Sequence, residues 1–232
     1  APYNLISMSK WGIHEIAKYY RKGEPMLNGQ QKARYQETIL VDPAVYHPAG
    51  RRGDRFLTIG RMAPEKGNLN VVMLCKQMGL PLDVAGGRGS EVEAGKVLSD
   101  YEQAIVDSCD GKQIVYLGEV SDDEKIELMQ KCRALLYITD HVEVTSHKIQ
   151  EALFCGASAI VPNHGGLPEI ITHGVNGFLC SSDAEFREAI NKLDTLQPEK
   201  CLDQVVNKYK PETVVAGYLI LLEELKNGAY WV

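Results

Sequence analysis

Two short stretches place charged side chains where an apolar run stops. The first is Gly60-Arg61-Met62-Ala63-Pro64-Glu65-Lys66-Gly67, directly after apolar residues 56–59. Gly60 permits a tight backbone turn, and Arg61 and Lys66 then bring two cations to a strand tip, where a diphosphate could be neutralised. Read alone, these residues suit an ordinary solvated turn equally well. The second runs from Asp140 to Leu153, a polar loop entering a helix that is expected to start near Thr145. The free N–H groups of its first turn, around Ser146 and His147, make an anion site assisted by the helix dipole. Glu143 lies before that turn, and Glu151 lies on the helix, roughly 9 Å of rise further in. Two carboxylates flanking a phosphate site can accept hydrogen bonds from two sets of hydroxyls, one on a ribose and one on a sugar. Taken singly, Glu143 reads as an acid favoured by the helix dipole and Glu151 as a solvated helix residue.

These loops need strands and helices to position them. From residue 56 onward the apolar pattern predicts strands over 56–59, 82–85, 113–117, 134–138, 157–161 and 177–179. Helices are expected between them over 69–78, 101–108, 122–131 with Ser121 as N-cap, 149–154, 168–172 and 184–193, with a further apolar helix over 214–225. Short, nearly continuous apolar strands alternating with helices imply a parallel sheet covered on both faces. The fold class expected is therefore α/β, a Rossmann-like doubly wound sheet whose ligands sit at the carboxyl ends of the strands. Before residue 56 the pattern is weaker: a strand over 5–8, a helix over 10–20 capped by Ser9, and a strand over 38–41. Residues 42–54 have a linker composition of prolines, glycines and an Arg-Arg-Gly-Asp-Arg run.

Composition narrows the function classes. The 232 residues carry a formal net charge of −6, which argues against nucleic acid or an anionic membrane as the main partner. The six cysteines form no C-x-x-C pair and mostly sit in apolar runs, which suits buried free thiols in a reducing compartment. No apolar stretch approaches the roughly 20 residues of a membrane span, and the first residues lack the pattern of a signal peptide, so a cytoplasmic protein is expected. Lys66 is followed by Gly67, not Ser or Thr, so a P-loop NTPase is disfavoured, and no dinucleotide fingerprint falls between a strand and a helix. Gly165-Gly166, followed by Pro168 and Glu169, would let a backbone approach a ligand closely.

In order along the chain, Ile59-Gly60-Arg61…Lys66-Gly67, Leu117-Gly118-Glu119-Val120, Glu143-x7-Glu151-Ala152, Gly156-Ala157-Ser158-Ala159-Ile160-Val161, Gly165-Gly166-x-Pro168-Glu169 and His173-Gly174-Val175-Asn176-Gly177-Phe178 resemble the retaining glycosyltransferases of the GT-B fold, family 4 type. The resemblance is strong over residues 55–192. It implies that Arg61 and Lys66 grip the donor diphosphate and that Glu143 contacts sugar hydroxyls, these three being the catalytic set. It also implies that Gly60, Ser146 and His147 line the phosphates, that Glu151 contacts the ribose, and that Gly118 and Val120 lie near the nucleobase. The substrate implied is a UDP-sugar or GDP-sugar, with no cofactor and no metal. The acceptor implied is a glycan, lipid or protein that the resemblance does not specify. Where the family has an aromatic-glycine pair after the first glutamate, this chain has Val144-Thr145-Ser146-His147.

The resemblance further implies three regions. Residues 1–50 correspond to the end of an N-terminal, acceptor-binding domain plus linker, residues 51–200 to the nucleotide-sugar domain, and residues 201–232 to a helical segment packing back toward the domain junction. The acceptor half would then lie elsewhere in cis or on another chain, leaving apolar surface on the last helix. A non-catalytic nucleotide-sugar-binding module or partner subunit is the alternative. A sugar-nucleotide epimerase ranks below both, because no acid–base pair stands out.

Overall fold

The computed structural model describes residues 6–12, 34–37, 40–87, 99–197 and 202–228. Six parallel strands form the main sheet: β3 (Phe56–Ile59), β4 (Leu82–Ala85), β5 (Ile114–Gly118), β6 (Ala134–Leu136), β7 (Ser158–Pro162) and β8 (Gly177–Cys180). They are ordered β5-β4-β3-β6-β7-β8, so the chain runs out to one edge from β3 and returns across it to the other. That reversal puts a topological switch point between β3 and β6, where the two charged loops emerge. A separate parallel pair joins β1 (Ile6–Ser7) to β2 (Arg34–Tyr35).

Alternation along the strands divides the core between the two faces. Leu57, Ile59, Leu135, Tyr137, Ala159 and Val161 point to one side, covered by α3 (Asp122–Lys131), α4 (His147–Phe154) and α6 (Leu202–Tyr209). Phe56, Leu82, Val84, Ile114, Leu136 and Ile160 point to the other, covered by α1 (Asn68–Met78), α2 (Asp100–Ser108) and α5 (Asp183–Asn191). All four residues of β3 are buried, as a central strand covered on both faces requires. Helix α3 starts where its sequence says it should. The Ser121 side chain accepts from the Glu124 N–H while the Glu124 carboxylate accepts from the Ser121 N–H, a reciprocal capping box.

Several boundaries differ from the expectation. The strand expected over 134–138 stops at Leu136, although the Tyr137 N–H still donates to the Ile160 carbonyl at 3.0 Å. The helix expected over 168–172 is a single 3-10 turn at Leu167–Glu169. Leu40 and Val41 are not in a strand, and residues 38 and 39 lie outside the described residues, as does 13–20 of the expected first helix. Helix α6 lies within the helical segment implied for residues 201–232, but the apolar pattern set no bounds for it. Only Val205 and Tyr209 of its eight residues are buried, too few to mark a period.

The last helix, α7 (Pro211–Lys226), starts at a proline, which fits the first helical turn because its missing N–H would be unbonded there anyway. It buries Val214 and Leu221 but leaves Leu219, Ile220 and Leu222 more than half exposed, the apolar face expected from the sequence. No described helix is long and apolar enough to cross a membrane. Five cysteines, Cys75, Cys109, Cys132, Cys155 and Cys180, are free thiols, and all but Cys109 are buried; Cys201 lies outside the described residues.

Removing the cap with Ser121→Ala is expected to cost about 1 kcal/mol, seen in calorimetry as a melting temperature lower by about 2–4 °C. An unchanged melt would show that the reciprocal bonds contribute nothing. Gly67→Ala is expected to cost more, about 1–3 kcal/mol, because a Cβ there would stand 1.9 Å from the Ile138 carbonyl oxygen.

Candidate functional site

The loops after β3 and β6 meet at the carboxyl end of the sheet. The β3 loop folds into a 3-10 turn, Pro64–Lys66, with a proline in its first positions and Gly67 in the left-handed conformation closing it. Thr139, in the β6 loop, donates from its hydroxyl to the Glu65 carbonyl at 2.7 Å and accepts from the His141 N–H at 3.0 Å. This stitch brings Lys66 within 2.6 Å of Glu143, across 77 residues of sequence. Tyr137, just past the end of β6, donates to the same Glu143 oxygen, also at 2.6 Å. Both bonds therefore fall on Oε1, and Oε2 is left to accept from a ligand hydroxyl.

This arrangement sets the charge on Glu143. Burial is the largest effect and pushes its carboxyl upward, but hydrogen bonds from Lys66 and Tyr137, with the positive field of Lys148, hold it below the ordinary 4.5. It is an anion at neutral pH, presented among cations. Burial and the Glu143 carboxylate push the Tyr137 phenol well above its ordinary range, so it remains a donor.

Arg61 does not join this cluster. Its guanidinium is about half exposed and bonded to Glu65 at 2.5 Å, four residues along the same turn. Such an exposed pair is worth only ~0.5 kcal/mol, so Arg61 can leave Glu65 at little cost. Gly60 turns with φ near 140°, and its missing side chain faces Lys148, whose ammonium lies 3.5 Å from the position a Cβ would take.

Helix α4 begins at His147, with Ser146 as N-cap, between the start near Thr145 that the loop suggested and the start at residue 149 that the apolar pattern suggested. The first intrahelical bond is from the Gln150 N–H to the Ser146 carbonyl, so the amides of His147, Lys148 and Ile149 precede it and open toward the β3 and β6 loops. The Ser146 side chain makes no capping bond, and His147 is exposed. With this start, Glu151 lies about 6 Å of rise into the helix. It is not a solvated residue: its side chain is 16% exposed and bonded to Lys125 of α3 at 3.2 Å. Tyr46 stands against both, its ring 5.3 Å from the Lys125 ammonium. Burial pulls Lys125 downward, but Tyr46 and Glu151 outweigh it and hold the ammonium above its ordinary range.

The close approach expected of Gly165 and Gly166 is made to the protein itself. Cβ atoms at these positions would lie 2.3 Å from the Glu143 carbonyl oxygen and 1.8 Å from that of Val144. The Gly166 N–H also donates to the Glu143 carbonyl at 2.8 Å. These glycines thus hold the Glu143 loop in place. Gly118 accepts from the Gly86 N–H at 2.6 Å. Val120 lines an open cleft of about 490 Å³ with Leu117, Leu128 and Cys132, which none of Arg61, Lys66, Glu143 or Glu151 reaches.

Four residues of the site escaped the sequence reading: Tyr46, Lys125, Tyr137 and Lys148. Tyr46 lay in a linker, Lys125 and Lys148 lay on an expected helix and loop without being singled out, and Tyr137 lay on an expected strand. Only Lys148 carried a signal, since a cation in the first turn of a helix opposes the dipole. Among the described residues no group of three His, Cys, Asp or Glu side chains could hold a metal ion.

Comparison with known proteins accords with this geometry. The family model described as glycosyl transferases group 1 matches residues 48–210. Human alpha-1,3/1,6-mannosyltransferase ALG2 is 34% identical over 115 residues, 48% of this chain and 27% of that protein. A probable sucrose-phosphate synthase of Thermosipho melanesiensis is 30% identical over 130 residues, 53% of this chain and 31% of that protein. Two solved structures share the fold: Anabaena HepE in complex with UDP, at a TM-score of 0.72 and 16% identity, and the sucrose-phosphate synthase of Thermosynechococcus elongatus, at 0.75 and 16%. Each covers 97% of this chain, which in turn covers 64% and 58% of them. The chain thus spans about a third or less of these curated relatives and less than two thirds of these structures. Because the family match runs through the whole six-stranded sheet and both layers of helices, the chain belongs to the glycosyl transferases group 1 family.

Proposed function

We propose that this chain is the donor-binding half of a retaining, metal-independent glycosyltransferase, and that it holds a UDP- or GDP-linked sugar at the carboxyl end of its sheet. The observation that carries this reading is the cluster of Lys66, Glu143 and Tyr137 beside the first turn of α4, with one Glu143 oxygen left open. Lys66, joined by Arg61 once Glu65 is displaced, neutralises the diphosphate as its bond to the sugar breaks, which stabilises the leaving group electrostatically. The open Glu143 oxygen accepts from a sugar hydroxyl, and Glu151, fixed by Lys125, accepts from the ribose. The amides at Ser146 and His147 take phosphate oxygens, with Gly60 giving room, and the segment Gly118–Val120 faces the base. The UDP held by HepE supports a nucleoside diphosphate as the ligand class. Residues 1–50 then belong to the acceptor-side domain, residues 201–232 return toward it, and the acceptor is bound by that domain in cis or on another chain.

Calorimetric titration of the chain with UDP, GDP and ADP, each alone and sugar-linked, tests this reading. Selective binding of one diphosphate is expected, weakened at least about tenfold, ~1.4 kcal/mol, in Glu151→Ala and in Lys66→Ala. Unchanged affinity in both variants would overturn the assignment. The Glu143 ion pair makes a separate prediction. Its folded value is depressed, so its stabilisation is full above the ordinary 4.5 and is lost as pH falls through the lower value. The stability difference between the wild type and Glu143→Gln, followed by denaturant melts, should stay constant from neutral pH down to about pH 5 and shrink below it. A difference that is flat through that acid range would show that the carboxylate is not held by its partners.

A further inference from the structure

Among the described residues, Lys148 is the one cation of the site that no acceptor holds. Its ammonium sits 3.7 Å from the centre of the Tyr137 ring and against the bare backbone of Gly60. Neither a hydrogen bond nor an ion pair joins it to any described residue. The charged and titratable groups that face it are Lys66 from the β3 loop, and Tyr137 and Glu143 from the segment after β6. Tyr137 offers its ring face, and Glu143 already receives both Lys66 and the Tyr137 hydroxyl on one oxygen. Lys148 also occupies the first turn of α4, where the helix dipole and a neighbouring Lys66 both repel a positive charge. Three unfavourable conditions meet at one ammonium: partial desolvation, a like charge and the wrong end of a helix. One anion placed among the α4 amides, Lys66 and Gly60 would relieve all three.

We propose that Lys148 is a further binding residue for the donor diphosphate, a third cation beside Arg61 and Lys66 that makes the site select a fully ionised diphosphate. This rests on the donor-site reading above and adds to it a residue and a charge requirement. The protein groups around Lys148 prepare it for that role. Desolvation, then repulsion from Lys66, outweighs the attraction of Glu143 and pulls its ammonium down to about 7. A bound diphosphate favours the charged form, so the ligand and a proton enter together. Because the proton is bound more tightly in the complex, affinity must fall as pH rises above 7.

The experiment is calorimetric titration of UDP and GDP into the full chain between pH 7.5 and 9, in two buffers of different ionisation enthalpy. In this range the terminal phosphate, whose second pKa is about 6, is already ionised. Cys75, Cys132, Cys155 and Cys180 contribute nothing, because burial lifts their thiols to about 12. The wild type should take up close to one proton per nucleotide bound, and its Kd should rise by about tenfold per pH unit. Lys148→Met should bind more weakly at pH 7.5 with no uptake and a flat profile. Lys148→Arg, always charged, should bind without uptake and with an equally flat profile. Thermal melts of both variants check that they fold, and the wild-type uptake is decisive without them. If a diphosphate binds with no uptake, or the slope survives in Lys148→Met, the role of Lys148 is overturned and the donor site stands. If no diphosphate binds at all, the donor-site reading falls and this inference falls with it.

Discussion

At the carboxyl end of the sheet, backbone packs directly on backbone, and that contact decides where the charged side chains of the site can stand. Gly67 lies against the Ile138 carbonyl and Gly166 against that of Val144, each so close that a methyl group would overlap the oxygen. The loops after β3, β6 and β7 are therefore drawn together with no side chain between them. Lys66 precedes one of these contacts and Glu143 precedes another, so their pairing follows from the loops' spacing more than from their mutual attraction. A partly buried ion pair seldom repays the cost of desolvating both partners by its own Coulomb energy. Here the backbone contacts impose the proximity, and the Tyr137 hydroxyl supplies the additional hydrogen bond that such a pair needs.

The site is divided along α4. At its first turn lie amide groups, Lys66, Lys148 and one open carboxylate oxygen, an environment suited to phosphate with a hydroxyl beside it. One turn further on, Glu151 is held by Lys125 and flanked by Tyr46, from two elements on the same face of the sheet. A single helix thus spaces two carboxylates of different character. One is kept anionic by close donors, and the other is oriented by a lysine from the neighbouring helix. Arg61 stands apart at the solvent edge, tied to its own turn by Glu65.

Much of this was legible from the sequence where a local rule governs. Strands β3 and β4 and helix α3 have the bounds their apolar runs and cap predicted, because a central strand buried on both faces and a Ser-x-x-Glu start leave few alternatives. The bounds of helix α6, inside the helical segment implied for residues 201–232, were hidden because two buried residues do not make a period. Helix α4 starts between the two expected positions, 145 and 149, because the run before Ser146 carries no signal that separates loop from first turn. In the site, the residue types that carry charge were readable at Lys66, Glu143 and Glu151, but their partners were not. Lys125 meets Glu151 across 26 residues, and nothing in either segment records the distance. Gly165 and Gly166 announced a close approach, expected to be to a ligand, and what they approach is the Glu143 loop.

The short N-terminal strip, residues 6–12, has a mechanical position in this arrangement. The backbone N–H groups of Lys10 and Trp11 donate to the two carboxylate oxygens of Glu169, at 3.0 and 2.8 Å, so a side chain from the turn after β7 caps the strip. Ser9 packs over Gly166, and Gly12 packs against Val144. The strip is therefore clasped by one loop and rests on the other, and Gly166 and the Glu143 carbonyl are bonded to each other beneath it. A tilt of the strip would pull on Glu169 and press on Val144 in the same stroke. The strip, the Glu169 turn and the Glu143 loop are thus joined by direct contacts, one of them a single residue from the carboxylate at the centre of the site.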